Sequence, residues 1–309
     1  MVDPAPSVRQ RAAEEGDRSR GSPLANPFIS PGDRRLRAAW RMAIQFALLL
    51  VLTTLLITLF FSIGAPLGIR AGIPLLLETQ VSTTLGVTLS IYLARRWLDR
   101  RSFVSLGLKV DRRGLTDFLF GVAVLGALAA LEALVGWSLG WFRFETPAWE
   151  VQSPSSVLTG LLASLLALAT VAWTEELFYR GYWLQNIAEG WSPLAALILT
   201  SLLFPLVHPN LAVIDWLHLA AAGLLLGYAY LRSRSLWLPI GLHLGWNFVG
   251  LSVIGLVGPF PYDVGLAPVI DVASHSPLVA GIVSARSLMA FTVLALASVG
   301  VYVFTKGRP

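Results

Sequence analysis

Long apolar runs separated by short polar segments follow one another along the chain after its first 36 residues. A run of about 20 apolar residues is what an α-helix needs to cross the hydrocarbon core of a bilayer. The runs predict transmembrane helices at residues 42–66, 72–94, 115–140, 156–180, 193–208, 211–231, 236–257 and 287–305. We therefore expect an all-α, polytopic transmembrane helix bundle of about eight spans over residues 37–309.

Residues 1–36 have a different composition, rich in Pro, Gly, Ser and charges of both signs. They contain no apolar stretch of the length found in a signal peptide. A segment this polar cannot bury enough apolar surface to fold alone, so the sequence predicts a flexible cytoplasmic tail.

The basic residues fall on one side of the eight-span arrangement. Of the 23 Lys and Arg residues, 19 lie in segments that this arrangement places on the same side as the two termini. Because cytoplasmic segments are enriched in Lys and Arg, both termini are predicted to be cytoplasmic. The Arg- and Ala-rich tail and the absence of cysteine favour a bacterial cytoplasmic membrane, with membrane lipid as a partner.

The overall composition agrees with this class and excludes others. Apolar residues make up 55% of the chain and charged residues 13%, which excludes a soluble enzyme and a disordered protein. The chain has no cysteine, which rules out disulfides, cysteine catalysis and prenylation of this chain itself. The net charge of +5 is accounted for by the cytoplasmic segments, so nucleic acid is not an expected partner.

Ionisable side chains concentrate in the second half of the chain, inside runs that are otherwise apolar. Each costs several kcal/mol in a membrane, so such residues are functional candidates. The motifs that hold them are WTEELFYRG with Glu175, Glu176 and Arg180, FPLVHPN with Phe204 and His208, and LHLGWN with His243 and Asn247.

Helical spacing predicts how these side chains are placed. Glu176 and Arg180 are four residues apart, so they can form an ion pair on one face. Glu175 lies about 100° around the helix from Glu176, and the two carboxylates are expected to have different neighbours. A chain reversal near residues 191–193 places Glu175 and His208 at similar depth on antiparallel helices, where their side chains can meet.

The residue types suggest hydrolysis by an activated water. A carboxylate in a dry cavity can act as a general base on water, while imidazole and amide groups can stabilise an oxyanion. His243 and Asn247, four residues apart, are expected to point the same way. Glu175, His208 and His243 could alternatively ligate zinc and leave one position open for water. The sequence lacks the motifs H-E-x-x-H and G-x-S-x-G and a phosphate-binding loop.

Two readings other than an enzyme remain open at this point. The same cavity could belong to a non-catalytic membrane immunity or scaffold protein that binds a peptide or a partner. Glu and His relays also serve proton-coupled transporters. The chain shows no inverted repeat of the kind common in transporters, which makes that second reading the weaker one.

The three motifs resemble those of the CPBP family of intramembrane proteases. They read E-E-x-x-x-R at Glu175–Arg180, F-x-x-x-H at Phe204–His208 and H-x-x-x-N at His243–Asn247. The family includes the CAAX prenyl endopeptidases and bacterial proteins linked to bacteriocin processing and immunity. Further likeness lies in the segment SLWLPIGLHLGWN and in Gly223 and Gly227, so the resemblance covers about residues 155–250.

The resemblance implies an intramembrane endopeptidase. We expect no cofactor, because the sequence shows no carboxylate that would support either histidine as a zinc ligand. Its substrate would be a membrane-associated peptide or a prenylated or otherwise lipidated protein. The roles that it implies are water activation by Glu175 and His208, oxyanion binding by His243 and Asn247, and support of the site by Glu176 with Arg180 and by Phe204.

Overall fold

The computed structural model describes residues 27–30, 34–64, 75–140, 142–144, 147–208, 212–254, 272–274 and 285–308. Its α-helices are α1 (Ala38–Gly64), α2 (Leu75–Leu93), α3 (Arg112–Ser138), α4 (Ala148–Val151), α5 (Pro154–Glu176), α6 (Leu184–Gly190), α7 (Pro193–Leu203), α8 (Val213–Ser233), α9 (Trp237–Gly245) and α10 (Ala285–Thr305). Each of the eight apolar runs coincides with one of these helices, so the predicted helical class is confirmed.

Several helices continue or end in a different helical form. The π-helices are Ala94–Leu98, Leu177–Trp183 and Trp246–Val253, and the 3-10 helices are Phe103–Leu106 and Phe204–Val207. Two of the π-helices and one 3-10 helix fall in the three polar motifs. Single π-helical segments inside α-helices are frequent at functional sites.

A short antiparallel ribbon departs from the all-α prediction. Strand β1 (Phe142–Phe144) pairs with β2 (Val272–Ser274), so that Arg143 lies opposite Ala273. Three residues are too few to show the alternating pattern from which a strand can be predicted. The ribbon therefore had no signal in the sequence.

Four helices are long and apolar enough to cross a membrane: Ala38–Ile63, Arg112–Ser138, Pro154–Gly190 and Val213–Ser233. Shorter apolar helices occupy Pro193–Val207 and Met289–Thr305. These helices confirm the membrane-spanning character of the chain. The total of eight crossings and the cytoplasmic position of both termini stay predictions.

Helix α9 lies at the centre of the bundle, packed against α3, α5 and α8. All its residues from Leu238 to Gly245 are buried. Glycines bring α3 and α9 close together: a Cβ added at Gly121 would lie 2.5 Å from the Leu242 nitrogen. Small residues permit such an approach between membrane helices. This contact fixes α3 against the helix that carries His243.

The close α3–α9 contact predicts a large effect of one methyl group. We expect Gly121→Ala to lower the free energy of unfolding by about 1–3 kcal/mol, because the added Cβ overlaps backbone atoms of α9. Thermal unfolding in detergent measures this effect. Gly300→Ala is the matched control, since its added Cβ has its nearest neighbour at 3.8 Å and alanine is the better helix former. Equal melting temperatures for the two variants would contradict the close packing.

A buried charge cluster joins α1, the end of α2 and α6. Asp99 Oδ1 accepts from Arg41 Nη1 at 2.6 Å, and Asp99 Oδ2 accepts from Arg95 Nη1 at 2.9 Å. Glu189, at the end of α6, pairs with Arg35 at 2.5 Å and with Arg41 at 3.3 Å. Arg35 belongs to the predicted tail, so this part of residues 1–36 contacts the bundle, whereas residues 1–26 and 31–33 lie outside the described residues.

Candidate active site

The end of α5 carries two consecutive glutamates with different surroundings. The Glu176 side chain is fully buried, and its Oε1 accepts from Arg180 Nη1 at 2.7 Å. The ion pair that the four-residue spacing predicts is therefore present. Arg180 Nη2 also donates to the Gly223 carbonyl oxygen on α8 at 3.1 Å. This bond joins the motif helix to the neighbouring helix.

His243 of α9 stands between the two glutamates. Its Nδ1 lies 2.8 Å from Glu176 Oε1, and its Nε2 lies 3.8 Å from Glu175 Oε2. The expectation that the two carboxylates have different neighbours is therefore wrong. The two nitrogens of an imidazole face different directions, so one ring can approach carboxylates that project about 100° apart from their helix.

The second motif leaves the α-helical path before it reaches its histidine. Helix α7 ends at Leu203, the chain tightens into the 3-10 helix Phe204–Val207, and His208 is extended. A 3-10 helix rises about 2.0 Å per residue instead of 1.5 Å, so helical counting along this segment fails. Among the described residues no hydrogen bond or ion pair joins Glu175 to His208. The two side chains are therefore not joined by a direct bond, and their joint action on a water molecule stays a prediction.

Phe204 connects the parts of the site through its ring. The ring is buried and makes edge-to-face contacts with both imidazoles, at centroid distances of 5.6 Å to His208 and 6.1 Å to His243. The Arg180 guanidinium carbon lies 4.6 Å from the centre of the same ring. A cation above a ring face is attracted by the negative face of the π-system. Phe204 therefore holds the arginine and both histidines in one cluster.

Asn247 follows His243 by four residues, at the point where α9 has widened into the π-helix Trp246–Val253. Asn247 is 9% exposed. The structure thus brings Glu175, Glu176 and His243 together, with Asn247 one turn away along the same helix.

Four buried polar atoms of the site have no hydrogen-bond partner among the described residues. They are Glu175 Oε2, Glu176 Oε2, Arg180 Nε and His208 Nδ1. Buried polar atoms in native proteins are almost always hydrogen-bonded, to protein or to water. The Glu175 side chain is 20% exposed, in contrast to the fully buried Glu176. Glu175 is therefore the carboxylate that a water molecule or a substrate can reach.

Tyr179 supports the site and was not singled out from the sequence. It is buried, its Oη donates to the Leu203 carbonyl oxygen at 3.4 Å, and its ring packs edge-to-face on Phe204. It thus holds the start of the 3-10 helix against the first motif. Its place beside Arg180 in the motif was visible, but the contact itself joins residues 24 positions apart and leaves no local pattern.

The residues of the zinc alternative do not form a ligand set within the described part of the chain. There, no group of three or more His, Asp or Glu side chains is arranged to hold a metal ion. His243 contacts Glu176 through Nδ1, and its other nitrogen, Nε2, lies 3.8 Å from Glu175 Oε2.

A family model described as Type II CAAX prenyl endopeptidase Rce1-like matches residues 157–249. The matched stretch begins in α5 and contains all three polar motifs. Residues 157–249 match an Rce1-like domain, which confirms the resemblance to CPBP/CAAX proteases that the motifs carry. No curated protein and no solved structure matches the chain.

The domain and the apolar helices together define the coarse character of the protein. It is a multi-pass membrane protein with a domain of a CAAX-type intramembrane protease family. Its surroundings are lipid, and the substrate that this family implies is a protein.

Proposed function

We propose that this protein is an intramembrane endopeptidase that hydrolyses a peptide bond with a water molecule activated by Glu175. The proposal rests on the approach of His243 to Glu175 Oε2 inside the Rce1-like domain. This oxygen is buried and has no hydrogen-bond partner among the described residues. A carboxylate and an imidazole in this arrangement supply a base and a hydrogen-bonding group to one reacting centre.

The proposed reaction begins with water between Glu175 and His208. Water can bridge polar atoms that are too far apart for a direct hydrogen bond. Glu175 takes a proton from this water while the water oxygen attacks the carbonyl carbon of the substrate. The proton then passes from Glu175 to the leaving nitrogen as the carbon–nitrogen bond breaks. A positioned base of this kind contributes about 10²–10⁴-fold to a rate.

The negative charge on the carbonyl oxygen needs donors in the same place. His243 Nε2 and the Asn247 amide are the groups that we assign to it, because Nδ1 of His243 is engaged by Glu176. Preorganised donors in a site sheltered from water stabilise such an oxyanion strongly. Glu176 and Arg180 hold His243 in place through the buried ion pair.

The substrate that fits this site is a membrane-associated peptide or a prenylated or otherwise lipidated protein. The site lies among helices that are apolar enough for a membrane, which supports a substrate that is itself held at the membrane. The excess of Lys and Arg in the predicted cytoplasmic segments supports a bacterial cytoplasmic membrane as the location, with cleavage near its inner face.

The function is tested by comparing two sets of membranes, one with the wild-type protein and one with Glu175→Gln. Both proteins are present at equal abundance. Mass spectrometry of peptide termini is expected to show new termini with the wild type alone. Those termini would identify the substrate and the bond cleaved. Identical termini in both membranes would contradict the protease and favour an immunity or scaffold protein that binds a peptide in the same cavity.

The reaction as proposed needs no metal, and this is separately testable. We expect cleavage by the purified protein to survive dialysis against a chelator, and elemental analysis to find less zinc than protein. His208→Ala is the informative variant. Stoichiometric zinc in the wild type, lost together with activity in His208→Ala, would establish the zinc mechanism instead.

A further inference from the structure

The hydrogen bond between Glu176 and His243 determines where the imidazole carries its proton. Arg180 is always charged and fully buried, and Glu176 is the carboxylate with which it pairs in the described part of the chain. A buried arginine needs a charged partner, so Glu176 is ionised. An ionised carboxylate can only accept hydrogen bonds.

The geometry then leaves one arrangement for the ring. Glu176 Oε1 is 2.8 Å from His243 Nδ1, a hydrogen-bond distance between two atoms of which the oxygen cannot donate. Nδ1 must therefore carry a hydrogen. The other nitrogen, Nε2, is directed toward Glu175 at 3.8 Å. The hydrogen bond that one ring nitrogen makes decides the state of the other nitrogen. Here the bond from Nδ1 to Glu176 leaves Nε2 as the nitrogen that is free to gain or lose a proton.

We infer that Glu176 is a positioning residue that keeps a proton on Nδ1 of His243, so that the ring gains or loses a proton at Nε2 alone. This inference rests on the proposed function for its catalytic meaning and extends it. With Nδ1 occupied, Nε2 can donate to the substrate oxyanion only when the ring carries both protons. His243 then acts in its charged form, which two carboxylates flank.

Nuclear magnetic resonance of the ¹⁵N-histidine-labelled protein tests the inference directly. The chain has four histidines, His208, His218, His243 and His275, so its side-chain spectrum is simple, and His243→Gln assigns the signals of interest. The wild type is expected to show Nδ1 of His243 protonated. A proton on Nε2 with Nδ1 bare would overturn the inference, even if no variant folds.

Glu176→Gln provides the second test. A glutamine can both accept and donate a hydrogen bond. We therefore expect some His243 rings of this variant to carry their proton on Nε2 instead of Nδ1. Because Glu176 is buried and does not reach the substrate, kcat should fall more than about tenfold while KM changes little. Glu132→Gln, which alters another buried carboxylate on α3, is the control and should leave the His243 signals unchanged.

The spectrum and the kinetics distinguish failure of the Glu176 positioning role from failure of the proposed protease function. An unchanged His243 spectrum and an unchanged kcat in Glu176→Gln would refute the positioning role. Failure of the proposed protease function would instead appear as identical peptide termini in membranes with wild-type protein and with Glu175→Gln, while the Nδ1 proton of His243 is still in place.

Discussion

Glu175→Gln is expected to reduce peptide cleavage by about 10²–10⁴-fold while the protein stays folded. Glutamine has nearly the size of glutamate but cannot take a proton from water. Glu175 Oε2 makes no hydrogen bond within the described part of the chain, so the substitution disturbs no structural bond of that oxygen. Initial rates on the peptide identified by its new terminus, with the enzyme in lipid vesicles, measure the effect.

The melting temperature of Glu175→Gln should lie within a few degrees of the wild-type value, which separates a catalytic loss from unfolding. Glu132→Gln is a suitable companion variant, since it replaces a buried carboxyl group on α3, outside the Rce1-like domain. Its cleavage rate should stay near that of the wild type. Undiminished cleavage by folded Glu175→Gln would remove Glu175 from the mechanism.

Arg180→Met is expected to lower the free energy of unfolding by about 3–5 kcal/mol. The substitution leaves the fully buried Glu176 without its ionic partner and removes the bond to the Gly223 carbonyl oxygen. It also removes the cation that lies 4.6 Å from the centre of the Phe204 ring. Chemical or thermal unfolding in detergent measures the loss.

The same replacement at an exposed ion pair supplies the comparison. The Lys109 and Asp111 side chains pair at 3.4 Å and are 80% and 35% exposed, so Lys109→Met should change stability little. The double variant Glu176→Gln with Arg180→Met should be more stable than Arg180→Met alone, because no charge is then stranded. If Arg180→Met and Lys109→Met unfold at the same temperature, the supporting role of the buried pair is refuted.

The sequence by itself determined the class of protein and the positions of the helices. Apolar runs of membrane-spanning length indicate segments that lie in lipid. There the backbone must make its hydrogen bonds internally, so each such segment forms a helix. The Glu176–Arg180 ion pair was equally predictable, because both residues lie one turn apart on the same segment. The motifs also sufficed to recognise the domain at residues 157–249.

Counting along helices failed where the helices changed form. His208 follows a 3-10 helix, so the segment that leads to it does not keep the regular 3.6-residue repeat. A switch between helical forms depends on how neighbouring segments pack, which a single segment does not encode. The ribbon of β1 and β2 joins strands 130 residues apart and is invisible for the same reason.

The tertiary structure alone decided which groups meet at the site. It placed His243 against Glu175 and Glu176, and it put the Phe204 ring in contact with both histidines. These contacts join residues on different helices, whose relative rotation and depth are set by packing such as that of Gly121 against α9. The periodicity of a sequence describes each helix around its own axis, whereas the meeting of side chains depends on the angle and distance between axes.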